Sequence, residues 1–254
     1  MNLINKFKLD NLSRPTQLLL FAVVLVLILV LMLLSKSWSD KQLVRSIKIE
    51  GNHYIESNEI NSLISPLAVK KYKKNVNLDT IKSILKSNPY ILQVDLSIGI
   101  TGNLNIEIQE RKPIAFLLLS NGVVSYADKD GIILPYKPLN DDLNLPVISG
   151  FQAGIENDTN YILNGCRIID YIKSKNNLDL YESISEIKFD YRYKSYNLFL
   201  QNYPGLIKFG RAVDLDEKFM KLNKIFNSES GLELLKIADY IDLRWNGQIV
   251  AGVI

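Results

Sequence analysis

His53 and Cys166 are the only histidine and the only cysteine in 254 residues, and their scarcity closes off much of the chemistry open to a chain of this size. Zinc sites draw on several His, Cys and carboxylate ligands at short spacings. One residue of each kind excludes His-cluster and Cys-rich sites. His53 follows Gly51-Asn52 at the end of a strand pattern, with no nucleophile evidently paired to it, so no Ser–His or Cys–His relay is legible. Cys166 lies in the helical stretch YILNGCRIIDYI, where a thiol serves as a small hydrophobe. Asp128-Lys129-Asp130-Gly131 opens like a calcium loop but lacks the later ligands and the closing glutamate, so it reads as a β-turn. No G-x-G-x-x-G or Walker-type loop is present to cradle phosphate. Asn11-Leu12-Ser13 and Asn157-Asp158-Thr159 fit the glycosylation pattern, which short sequences meet by chance.

What remains is recognition by surface. At the carboxy-terminal end Ile241, Leu243 and Trp245 alternate against Asp242 and Arg244, Asn246-Gly247 makes a turn, and Ile249–Val253 reads as a last strand. Such a strand either completes the sheet, which periodicity alone favours, or stands at its edge. An edge strand offers unpaired N–H and C=O groups to which a partner can add a strand of its own.

The elements that place this surface begin with an apolar run. Leu18–Leu34 holds no charge and spans about 26 Å as a helix. With Thr16, Gln17 and Ser35 it reaches the roughly 20 residues that cross a hydrocarbon core. A cleaved signal peptide has a shorter apolar region and a small-residue cleavage site; here Ser35-Lys36-Ser37-Trp38 follows, with Trp38 where an interfacial aromatic sits. An uncleaved anchor in the lipid bilayer is expected. Lys6, Lys8 and Arg14 precede the run and Lys36, Lys41 and Arg45 follow it, so charge votes only weakly for an inside amino terminus. A net charge of +3 with no dense basic block argues against nucleic acid. Lys70, Lys71, Lys73 and Lys74 read as a solvated loop, and a single cysteine staples nothing internally.

Beyond the anchor the spacing predicts an α+β protein in two parts. Ile47 and Ile49 alternate with Lys48 and Glu50 as a strand ending at Gly51-Asn52. Ile60, Leu63, Ile64 and Leu67 mark a helix from Ser57 to near Pro66, and Leu78, Ile81, Ile84 and Leu85 a second that closes at Asn88-Pro89. Two alternating strands follow, on Leu92, Val94, Leu96, Ile98 and on Leu104, Ile106, Ile108. The order is βααββ, with both helices expected on one face. After Pro113 come a hairpin over Asn121-Gly122, a meander to Leu134, a loop with Pro135, Pro138 and Asn140-Asp141-Asp142, and a helix over Asn157–Ser174. Strands are then expected at Ile184–Tyr191, Ser195–Leu200 and Leu206–Phe209, and a helix from Asp214 or Leu215 to Asn227. That helix should face Leu215, Phe219, Leu222 and Phe226 inward, with Lys218, Lys221 and Lys224 as an outward stripe.

The segment from Val44 to Phe116 resembles a POTRA domain, through the strand ending I-x-G-N, the helix before NPYI and the closing L-x-I-x-I-x-E-R-K-P. From about residue 15 to 254 the layout is similar to that of the FtsQ/DivIB family of bacterial division proteins: a tail (1–17), an anchor (18–35), a POTRA domain (44–112) and a strand-rich β domain (113–254) with an antiparallel sheet. YADKDGIILPY, LPVISG, KFGR, EKFMKLNKIF and YIDLRWNGQIV carry the likeness of the second part.

The resemblance implies a non-enzymatic scaffold without cofactors or metal. It would be single-pass in the inner membrane, with a cytoplasmic amino terminus, periplasmic domains and enrichment at the septum. It implies binding of FtsB- and FtsL-type membrane proteins by strand addition. The implied contact residues are Arg211, Tyr240, Asp242, Arg244, Trp245, Gln248, Ile249, Val250, Ala251 and Gly252, with Trp245 where relatives more often carry Tyr. A transport or assembly factor bearing a POTRA domain is the alternative; nothing here is long enough to form the barrel such proteins usually carry. An anchored envelope enzyme would need a cluster of titratable groups that the chain does not display.

Overall fold

The computed structural model describes residues 14–40, 42–139, 143–151, 159–175 and 178–253. The tail up to Ser13, the loop at Asn140-Asp141-Asp142, the asparagine of each acceptor pattern and the side chain of Trp38 lie outside the described residues. Helix α1 (Arg14–Asp40) carries the apolar run. Its window Leu18–Ser35 has a mean hydropathy of 3.4 and is entirely unburied, and it is the one helix among the described residues long and apolar enough to cross a membrane.

The βααββ order is present as β1 (Ser46–Glu50), α2 (Ser57–Ala68), α3 (Leu78–Lys86), β2 (Ile91–Ile98) and β3 (Asn103–Glu110). β3 is central, in the order β1-β3-β2, and β1 runs parallel to it with Ile47 opposite Leu104 and Ile49 opposite Ile106. Ile60, Ile64 and Ala68 of α2 and Ile81 and Leu85 of α3 are buried, as are Val94, Leu104, Ile106 and Ile108. Pro66 falls inside the last turn of α2, where its missing N–H removes one i→i−4 hydrogen bond and the helix ends two residues later. The start of α3 is capped by Asn77, whose Oδ1 accepts the Thr80 N–H at 3.0 Å. In β2 the alternation holds from Val94 onward, while Ile91 is buried and Leu92 is exposed. Gly51 sits at φ +81°, and a Cβ there would lie 2.1 Å from the Ile108 carbonyl oxygen, so the turn out of β1 requires glycine.

The rest of the chain builds a second, larger sheet. Its elements are β4 (Pro113–Leu118), β5 (Val124–Asp128), β6 (Ile133–Pro135), β7 (Val147–Ser149), α4 (Thr159–Ser174), α5 (Leu178–Ser183), β8 (Ile184–Asp190), β9 (Ser195–Leu200), β10 (Leu206–Gly210), α6 (Leu215–Phe226), α7 (Glu229–Ile237), β11 (Tyr240–Asp242) and β12 (Val250–Gly252). The nine strands lie in the order β12-β11-β10-β9-β8-β7-β4-β5-β6. The antiparallel sheet expected here is antiparallel at five of its pairs, while β4–β7, β7–β8 and β10–β11 are parallel. Each parallel step has a long connection: α4 and α5 between β7 and β8, α6 and α7 between β10 and β11, and the β5–β6 meander between β4 and β7. The chain divides into two units, Met1–Leu85 with Val94–Ile108 and Lys86–Gln93 with Gln109–Ile254.

The core of the second unit includes Leu117, Ile148, Ile162, Ile187, Leu198 and Leu222, and Cys166 is part of it. The turn at Asp128 is held from inside the same unit. Asp128 is 2% exposed, accepts from Arg111 Nη1 at 2.7 Å, and takes the N–H groups of Asp130 and Ile132 on Oδ1 at 3.0 and 2.8 Å. Burial pushes the Cys166 thiol up to about 12, with the charges of Asp128, Asp170 and Asp130 adding to it. The thiolate is the reactive form, so Cys166 should stay unlabelled by Ellman's reagent at pH 8 in the native protein and react fully in denaturant. Stoichiometric labelling without unfolding would contradict this burial.

Candidate functional site

The sheet ends on three short elements and one helix. β10 and β11 pair in parallel, with Leu206, Ile207 and Lys208 opposite Tyr240, Ile241 and Asp242. β11 and β12 pair antiparallel, with Tyr240, Ile241 and Asp242 opposite Gly252, Ala251 and Val250. β12 is the last strand, so one side of its backbone faces no further strand among the described residues. Ile241 and Leu243 point into the core, and this alternation puts Tyr240, Asp242 and Arg244 on the other face.

That face is ordered by charge and ring packing. Asp242 is 4% exposed and holds Arg244 in a fork, Nε to Oδ1 at 2.8 Å and Nη2 to Oδ2 at 2.6 Å, while its Oδ1 also accepts the Arg244 backbone N–H at 3.0 Å. Burial alone pushes the Asp242 carboxyl upward; the Arg244 hydrogen bonds and charge, with Lys208 nearby, reverse this and leave it below the ordinary carboxylate value. The same pairing raises Arg244. Lys208 Nζ stands 3.4 Å from the centre of the Tyr240 ring, a cation–π contact. A Cβ on Gly252 would come within 2.3 Å of the Tyr240 ring, so the tyrosine covers an edge glycine from the neighbouring strand.

Between the end of β10, helix α6 and the segment after β11 lies a cleft of about 320 Å³ whose lining includes Tyr193, Arg211, Lys218, Arg244 and Asn246. Gly210, at φ +84°, leaves room for Arg244: a Cβ there would lie 2.9 Å from Arg244 Cγ.

Helix α6 corrects the expected outward lysine stripe. Lys218 and Lys221 are 7% and 8% exposed, and only Lys224 of the three faces solvent. Both long stems run inward and their ammonium groups end on backbone carbonyls. Lys218 Nζ donates to the Arg211 carbonyl and lies 5.0 Å from the Phe209 ring centre. Burial lowers the Lys218 pKa, with Asp214 opposing it, Lys221 adding to it and Glu217 opposing. Lys221 Nζ donates to Leu243 O at 3.2 Å and Trp245 O at 2.6 Å and pairs with Glu217 Oε1 at 2.7 Å.

The expected contact residues are thus gathered at one end of the sheet, but they differ in what they can offer. Arg211, Gln248, Val250 and Ala251 are exposed; Ile249 is half-buried and packs against the core. Trp245 is 58% exposed, a projecting aromatic. Asp242 is buried and Arg244 is engaged with it. Tyr193 and Glu217 were not singled out from the sequence, and Lys218 and Lys221 were expected on the outward face of the helix. The i,i+4 spacing of Glu217 and Lys221 was the available signal, and such spacing ordinarily marks a surface pair.

At the opposite end β6 is closed by different means. It is three residues long, Pro135 has no N–H to offer, and the Pro135 carbonyl accepts the Tyr90 hydroxyl at 2.7 Å.

Comparison with known proteins agrees with this architecture. Residues 112–252 match the family model described as FtsQ/DivIB, C-terminal related, and residues 43–111 match that of the FtsQ-type POTRA domain. The chain is similar to the cell division protein FtsQ of Geotalea daltonii, 27% identical over 185 residues that cover 69% of this chain and 63% of that protein. It is also similar to FtsQ of Geobacter sp. strain M21, 27% identical over 180 residues with the same coverage, 69% and 63%. The matched part thus spans 63% of the length of these curated relatives. Among solved structures, the major extracytoplasmic domain of the trans isomer of the division protein DivIB from Geobacillus stearothermophilus aligns with a TM-score of 0.26 and 14% identity, over 36% of this chain and 72% of that one. With its carboxy-terminal domain matched over more than half of its length and an FtsQ-type POTRA domain ahead of it, the chain belongs to the FtsQ/DivIB family.

Proposed function

We propose that this chain is a non-enzymatic scaffold of the bacterial division septum that captures FtsB- and FtsL-type membrane proteins by strand addition at β12. The observation that carries the reading is the asymmetry of the nine-stranded sheet: its β6 edge is capped by Pro135 and the Tyr90 hydroxyl, whereas among the described residues β12 has no neighbouring strand on its outer side. Exposed edges invite pairing and proteins blunt the ones they do not use. The edge left open here is flanked by an exposed tryptophan and an exposed arginine, residue types that dominate interface energetics.

In this reading Leu18–Ser35 spans the inner membrane once, with the tail (1–17) in the cytoplasm, and the POTRA (44–112) and β (113–254) domains work in the periplasm at the septum. Family membership supports a division role, and the apolar helix supports the anchor. The backbone of Gln248–Gly252 would supply the pairing, and Trp245 and Arg211 the side-chain anchors.

Truncating Trp245 to alanine should weaken capture of the partner pair about thirtyfold, equivalent to about 2 kcal/mol, and Arg211→Ala should weaken it less, since that side chain is solvated. Co-purification from detergent, with partner concentration varied, measures both. Wild-type capture by Trp245→Ala would remove the tryptophan from the interface.

A further inference from the structure

From Arg244 to Gln248 every side chain is exposed, yet the backbone of this connection is held from beneath. Lys221, buried in α6, donates to the carbonyls of Leu243 and Trp245. Glu217, one turn earlier, accepts the Gly247 N–H at 2.7 Å on the same Oε1 that receives Lys221. An ammonium has three N–H donors, and its three acceptors here are two loop carbonyls and that carboxylate. A buried charge is tolerated only when so satisfied. The turn these groups define, with Gly247 at φ +69° and Gln248 N–H on Trp245 O at 3.2 Å, leads directly into β12.

We propose that Glu217 and Lys221 are positioning residues that latch the Leu243–Gly247 backbone to α6 and so preorganise the β12 edge and the Trp245 ring for an incoming extended polypeptide segment. The inference rests on the strand-addition reading and adds the device that makes the edge receptive. A turn fixed before binding spares the partner the ordering of that turn, and affinity rises accordingly. Lys221 and Glu217 do not themselves belong to the strand edge; they act through Leu243, Trp245 and Gly247. The same contacts explain how a lysine on the polar half of the helical pattern comes to be buried: methionine would fill the space but take the ammonium donor from the Leu243 and Trp245 carbonyls, leaving the latter only the Gln248 N–H.

The test uses the full chain in detergent with four variants. Lys221→Met and Glu217→Ala break the latch. Lys221→Arg keeps a cationic donor for the carbonyls, and Glu217→Gln keeps a side-chain oxygen for the Gly247 N–H. Amide hydrogen exchange should rise about tenfold or more from Gly247 to Gly252 in the two breaking variants, while Ile187 and Leu198 in the centre of the sheet exchange as in wild type. Dissociation of a purified FtsB- and FtsL-type pair should quicken about tenfold, and the two conservative variants should fall nearer wild type in both readouts. Unchanged exchange at the turn would overturn the latch. So would loosened exchange with wild-type dissociation, or a rise that extends to Ile187 and Leu198 and assigns the pair to global stability. Failure of the wild-type chain to capture the pair would instead overturn strand addition and, with it, the role given to the latch in binding.

Discussion

Proline at Val250 or at Ala251 should abolish capture of the FtsB- and FtsL-type pair, a loss of more than about 100-fold, while the nine-stranded sheet stays folded. Successive N–H groups along a strand point to opposite sides, so one of the two substitutions removes a donor from the β11 ladder and the other removes one from the open side. Either way the pyrrolidine ring and its missing N–H spoil a template of only three residues, Val250–Gly252. The fold should tolerate this because β12 is terminal in the sheet, and Val250 and Ala251 are exposed. Titration of immobilised full-length chain with the partner pair, alongside thermal unfolding, separates the effects. Capture within about threefold of wild type in both variants would place the interface elsewhere.

The second large effect is on stability, and it should be lopsided. Arg244→Met leaves the buried Asp242 carboxylate without its fork, and uncompensated buried charges are costly. Because the Arg244 side chain is 41% exposed, water replaces part of the lost interaction, and a destabilisation of about 2–3 kcal/mol is expected. Asp242→Asn should cost less, about 1 kcal/mol, since asparagine retains an oxygen for the Arg244 backbone N–H and leaves the guanidinium partly solvated. The pair also imposes a pH dependence. Asp242 is held below its ordinary value when folded, so its contribution is complete above the unfolded carboxylate value of roughly 4 and is lost as pH falls through the lower folded value. Chemical denaturation of the full chain between pH 7 and pH 3 should show wild type converging on Asp242→Asn at the acid end. A constant gap across that range would contradict the pairing.

How far the chain could be read in advance depended on what each residue had to reveal. Ile47 and Ile49 against Lys48 and Glu50, and Leu104, Ile106 and Ile108 against their polar neighbours, announce half-buried strands by period alone. The apolar stripe of α6 was equally plain. α5 and α7 were not, because Leu178–Ser183 is only six residues and just two residues, Asn227 and Ser228, separate α6 from α7. A capping signal was nevertheless available for α7: Ser228 Oγ accepts the Gly231 N–H at 3.1 Å. The parallel pairs were hidden because strand direction is decided by what connects the strands, and α7 was part of one such connection. The buried lysines were hidden for a different reason. Lys218 and Lys221 obey the polar half of a helical pattern, and only the approach of the Arg211, Leu243 and Trp245 carbonyls gives their amines somewhere to go. Trp245 was placed at the edge of the sheet, and it is the projecting backbone turn, rather than a pocket, that presents it.

Strand addition makes one direct demand on the backbone. Amide exchange of the full chain should be followed with and without a saturating FtsB- and FtsL-type pair. Protection should appear within Val250–Gly252, at about tenfold or more, while Leu134 on the opposite edge is unchanged. A saturated complex in which the Val250–Gly252 amides exchange as fast as in the free chain would contradict partner pairing at β12.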